Sequence, residues 1–181
     1  AQDAMVKERP LVPLLTPDDL GDLRLVETVG QVLGERDTIE YWKSSPYLLN
    51  FMRGYQLKRA MELDLKRKSS SLPALIDAHS ARLLRADLVD RYIAIDPGNA
   101  RLRAMQAEIE QGSLWKLLWM PPSCPYWQPA GAYAGVGTVS KQLVFSAWNV
   151  VPDAIAAMLS YAVERHMVRS AGYRGSYSKM P

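Results

Sequence analysis

KQLVFSAWNVVPDAIAAMLSYAVER, residues 141–165, decides how this chain reads. Leu143, Val144 and Phe145 form a continuous apolar run, the pattern of a strand covered on both faces, as in a parallel sheet. The spacing predicts a strand over 142–146. From Val150, with Pro152 inside the first turn, Ile155, Met158, Leu159, Ala162, Val163 and His166 fall on one face of a helix running to Met167. Strand, turn and helix make half of a βαβ unit. Its turn, AWNV, lies at the carboxyl end of the strand, where open α/β sheets carry their ligands. Ser146, Trp148 and Asn149 are therefore candidate site residues. Ser and Asn side chains bond phosphate oxygens, and an indole stacks on a base or shields the site. Asn149 has a second reading, as the cap of the helix that follows.

Nothing upstream reads as the rest of that sheet. Thr16 as N-cap, Pro17 and two acids in the first turn predict a helix from Pro17 to Gly34, with Leu20, Leu23, Val26 or Glu27, Val29 or Gly30, and Leu33 in its stripe. Ser45 and Pro46 repeat the cap-and-proline signature ahead of an apolar knot, Tyr47 to Met52. A further helix is predicted over 54–68, ended by SSSLP, then one or two more over 72–95. Asp96 as cap, Pro97 and Gly112 bracket another. The expected fold is mostly α: a helical, bundle-like region over 1–112, a connector over 113–140 rich in aromatic residues, proline and glycine, and one short strand plus helix over 141–181.

Charge and cysteine usage exclude some classes of function. The chain has 181 residues, a formal net charge of +3 and one cysteine, Cys124. One thiol and two distant histidines build neither a disulfide framework nor an ordinary structural zinc site. A cytoplasmic location is the expectation. The opening AQDAMVKERP lacks the apolar core of a signal peptide and an initiator methionine, which fits a processed or truncated chain. No apolar run reaches the length of a membrane span. Cys124 has no neighbouring histidine to activate it, and His79, near a helix start, and His166 read as structural.

Three other features carry candidate chemistry, each with a plainer reading beside it. Between 53 and 68 there are six basic and two acidic side chains; Lys58, Arg59, Lys66, Arg67 and Lys68 form either a phosphate-contacting face or a solvated one. Beyond Arg165, Arg169, Arg174 and Lys179 alternate with Tyr173 and Tyr177, the composition of a single-strand binder or of a frayed terminus. Trp115, Trp119 and Trp127 make either a partner groove or packing residues.

The pattern K-x-L-V-F-S-x-W, followed by V-P-x-x-I-x-x-x-L, resembles the fourth helicase motif and following helix that open the second motor lobe of superfamily-two ATPases of the Swi/Snf type. Residues 41–58 and 118–127 are similar to the region preceding that motif in large bacterial helicase-like proteins of the group. The resemblance implies an internal piece of a DNA-dependent motor, linking its lobes and touching the nucleic acid backbone through Ser146, Trp148 and Asn149. It implies DNA and the remaining motor lobes as partners, with ATP and magnesium held elsewhere in the parent protein. Ala147 stands where the family often has glutamine, which removes a polar role there. No phosphate-cradling G-x-x-x-x-G-K-[ST] occurs in the chain, so catalysis and resident cofactors are not expected of it. The alternative is a free-standing helical protein-interaction module.

Overall fold

The computed structural model of the chain describes residues 15–79, 83–111, 113–119, 130–134, 136 and 144–179. Among these residues are eight α-helices, and none of the described residues is in a strand.

Helix α1 (Pro17–Leu33) starts at a capping box: the Asp19 amide donates to Thr16 Oγ1 and the Thr16 amide to Asp19 Oδ2. Its stripe of Leu25, Val26 and Val29 is buried. α2 (Thr38–Ser44) crosses close to α1 at Gly30, where a side-chain carbon would collide with the Thr38 methyl. α3 (Leu48–Phe51) is a single turn supplying Leu48 and Leu49, with Met52 just beyond. α4 (Gln56–Leu65) adds Leu57 and Met61, and α5 (Leu72–Ala78) adds Leu72. Together these side chains are one core, each contributing on the order of 1.5–3 kcal/mol by leaving water.

The second half wraps around Tyr92. α6 (Ala86–Asp90) leads into this residue, whose φ of 50° turns the chain so that its ring is buried. α7 (Ala100–Gln111) packs on α8 (Val150–Ser170), and α8 also touches α3. Arg165 and Arg169 of α8 donate to the Tyr92 carbonyl, and Arg169 also to that of Arg91 at 2.6 Å. A 3-10 turn at Leu114–Trp119 is held to α8 by the Trp115 ring against His166, centroids 5.1 Å apart.

The mostly helical expectation holds, with corrections at particular residues. The strand predicted over 142–146 is absent where it is described: Val144, Phe145 and Ser146 are irregular and exposed, while 141–143 lie outside the described residues. A strand exists by pairing with a neighbour, and none of the described residues is in a strand or bridge. Ser45 and Pro46 do not open a helix; Ser45 closes α2, and the chain turns through Tyr47 at φ 48°. Asp96 caps a turn by accepting from Gly98 N, while Asn99 Oδ1 accepts from the first amides of α7. The helix predicted over 54–68 is shorter, Gln56–Leu65. His79 sits at the end of α5, where Nδ1 meets the Leu75 carbonyl at 3.0 Å. His166, expected on the apolar face of α8, is exposed.

Candidate functional site

The turn from Ser146 to Val150 is built by local bonds and one aromatic clasp. Trp148 N donates to Ser146 Oγ at 3.0 Å, bending the chain, and Val151 N donates to the Trp148 carbonyl. The Trp148 ring lies against Tyr41 of α2, centroids 5.6 Å apart, and is stacked on Tyr55 at 6.0 Å and 27°. Tyr55 also accepts from Val150 N at 3.2 Å, satisfying a first-turn donor of α8. Asn149 occupies the cap position with helical backbone angles and makes no side-chain cap bond. Ser146 and Asn149 face water, and Trp148 is half-buried. The three predicted residues therefore cluster, but the indole is engaged by two tyrosines rather than presented alone.

Beside this turn runs an open groove of about 380 Å³ between α7 and α8. Leu102 and Met105 of α7 and Val151 and Ile155 of α8 line it, with Phe145 and Trp148 at its edge. Phe145 is 88% exposed and Val144 42%, so the apolar residues that suggested a strand stand in solvent at the mouth of the groove. An apolar groove with exposed aromatic residues at its edge is the composition of a docking surface. Its rim carries both signs of charge, with Lys43 paired to Glu40 at 3.0 Å.

The basic run on and after α4 divides by role. Lys58 Nζ donates to the Leu49 carbonyl at 3.3 Å and so closes α3. Arg67 pairs with Asp64 of its own chain turn at 3.5 Å, an exposed pair of little energetic weight. Arg53, Arg59, Lys66 and Lys68 are exposed and have no ion-pair partner among the described residues. In the C-terminal segment, by contrast, the three arginines are occupied, and Lys179 is exposed. Arg165 and Arg169 bind backbone carbonyls, and Arg174 donates to the Arg169 carbonyl. The single-strand-binding composition of this segment is thus largely spent on holding the chain together.

Cys124 and Trp127 lie outside the described residues, as does the side chain of Trp119. Among the described residues no group of three or more His, Cys, Asp or Glu is placed to hold a metal ion. No helix among them is long and apolar enough to cross a membrane. Sequence reasoning missed Tyr41 and Tyr55, which hold the Trp148 turn, and the grouping of Tyr92, Tyr161 and Tyr177. Nine tyrosines in the chain were the available signal, but their pairing spans up to 107 residues of sequence, beyond any local pattern. No protein-family model, curated protein or solved structure matches the chain.

Proposed function

We propose that this chain is a helical, non-catalytic part of a Swi/Snf-type DNA-dependent ATPase, joining the motor lobes and contacting DNA. The observation that carries the reading is the exposed apolar pair Val144 and Phe145, placed immediately ahead of the 21-residue helix α8. An apolar segment open to water at this point is what a strand looks like when its neighbours belong to another part of the protein. In the complete motor, residues 142–146 would pair with the strands of the second lobe. Nucleotide and magnesium would be bound by the parts of the motor that carry its phosphate-binding loop and paired acids. Within the basic run, Arg53, Arg59, Lys66 and Lys68 are exposed cations free to meet phosphate, and Ser146 and Asn149 are exposed polar groups beside the turn.

A mobility-shift assay of the chain with duplex and single-stranded DNA tests the contact. Complexes are expected at low salt and loss at moderate salt, because each neutralised phosphate releases counterions. Replacing Arg59, Lys66 and Lys68 together by alanine should flatten that salt dependence. Absence of a shift at either salt removes DNA from the reading.

A second reading, a protein-interaction module without a motor, is favoured by the same groove between α7 and α8. The full reading frame separates the two. A phosphate-binding loop upstream and an arginine-bearing motor motif downstream support the motor; their absence leaves the interaction module.

A further inference from the structure

Between α6 and α8 the chain forms a second cavity, of about 590 Å³, on which none of the preceding readings draws. Its walls include Tyr92, Tyr161 and Tyr177 together with the carboxylates of Asp90 and Glu164. Tyr92 and Tyr161 lie parallel, centroids 6.3 Å apart at 7°, and Tyr177 is inclined at 64° to Tyr92 with centroids 6.4 Å apart. The three rings form a corner in which Tyr92, 2% exposed, is the buried base and Tyr161 and Tyr177 supply the ring surface open to a ligand. Leu84, Ala86 and Val89 complete the lining with aliphatic surface, and among the described residues the lining contains no lysine or arginine.

The corner is built from parts that are distant in sequence and individually fastened. Tyr92 Oη donates to Glu164 Oε1 at 2.7 Å, and Tyr161 Oη donates to the Ile93 carbonyl at 2.7 Å. The Tyr177 wall is secured by its neighbour: Ser178 N and Oγ both donate to Asp90, at 2.9 and 3.3 Å. Arg165 and Arg169, the arginines of α8, donate to the backbone carbonyls of residues 91–92 and pair with neither carboxylate, although their charge reaches Tyr161. Aromatic faces and carboxylates attract positive charge, and aliphatic walls favour a cation that is weakly hydrated. An alkylated ammonium has both properties, whereas an alkali ion holds its water too strongly and an anion is repelled.

We propose that this cavity binds an alkylated ammonium group. Two sources carry that chemistry, a methylated lysine side chain of a protein and a free quaternary amine. Neither depends on the motor reading, so the two proposals fail separately.

Calorimetric titration of the full chain tests it, using choline and its neutral isostere 3,3-dimethylbutan-1-ol at equal ionic strength. Saturable choline binding at least about fivefold tighter than the isostere is expected, since only the cation gains from the rings. A peptide bearing one trimethyl-lysine, set against its unmodified form, distinguishes the sources: preference over choline points to a protein tail, parity to a free amine. Tyr177 is 64% exposed, so Tyr177→Leu should leave the fold intact while weakening choline about fivefold. Glu164→Gln keeps an acceptor for Tyr92 and should also weaken it. Equal binding of choline and the isostere, or no saturation by choline or by the trimethyl-lysine peptide, overturns the proposal.

Discussion

Arg103 on α7 joins two carboxylates that are far apart in sequence: its guanidinium donates to Asp19 of α1 at 3.0 Å and to Asp96 at 2.8 Å. Asp19 is only 2% exposed. Burial alone would raise its pKa, but the hydrogen bonds from Arg103 and Thr16 outweigh that and hold the carboxyl below its ordinary range. Asp96 is likewise lowered, chiefly by its bond to Arg103. The first helix is thereby tied to the seventh.

Arg103→Met should cost about 2–3 kcal/mol in urea unfolding at neutral pH, because Asp19 is left buried and unpaired. Both acids have folded pKa values below their unfolded value of 3.8, so their contribution is complete above that value and is lost as pH falls through the folded values. The gap between wild type and variant should therefore shrink at about pH 2.5. A gap independent of pH would mean that packing, not charge, supplies the stability.

Trp148→Ala should cost about 2 kcal/mol, since the ring is clasped by Tyr41 and Tyr55. Thermal unfolding followed by circular dichroism measures it. A Trp148 variant that weakens DNA binding with unchanged melting would instead place the indole among the nucleic acid contacts.

Phe145→Ser should alter stability by no more than about 0.5 kcal/mol, because the ring is 88% exposed. Under the proposed function it should nonetheless weaken association with a separately produced second motor lobe. Analytical ultracentrifugation of the mixture reads this, and unchanged association would count against the role given to residues 142–146.

Two glycines are committed to close approaches. At Gly30 an added methyl meets the Thr38 methyl, and at Gly98, φ 67°, it meets the Tyr47 ring at 3.2 Å. Gly30→Ala should cost about 1–3 kcal/mol and Gly98→Ala about 1–2 kcal/mol in denaturant unfolding. An exposed helical position such as Glu62 serves as the control and should show a far smaller change on replacement by alanine.

Burial and the bond to Glu164 push the Tyr92 hydroxyl from 10.0 up to about 12. The unfolded chain loses that proton first, so the Tyr92 contribution is present below pH 10 and lost as pH rises through the folded value. Ultraviolet titration should show a late-ionising tyrosine that disappears in Tyr92→Phe. Stability of the wild type should fall across the same interval.

Local chemistry was legible where neighbours in sequence create it. Thr16, Pro17 and Asp19 announce the start of α1, but its apolar stripe was read only in part: Val26 and Val29 are buried as expected, whereas Leu20 is 51% exposed and Leu25 takes its place in the core. The start at Asp96 was misplaced because Asp, Pro, Gly and Asn all qualify as caps; only the left-handed Gly98 moves the helix start to Asn99. The candidate site was legible as a turn between Ser146 and Asn149, but not as a turn anchored by Tyr41 and Tyr55. Those partners lie about a hundred residues upstream, and no spacing rule connects them.

By itself the amino-acid order determined that the described residues are mostly helical, that α1, α5 and α8 begin at Pro17, Leu72 and Val150, and that α8 follows an apolar segment, because caps, prolines and periodic apolar residues act over one or two turns. Only the tertiary structure decided which cations stay free and which brace carbonyls, that Val144 and Phe145 stand open, and that three tyrosines meet in one corner. Pairing across many residues depends on how helices pack, and packing is settled by the whole set of buried side chains at once.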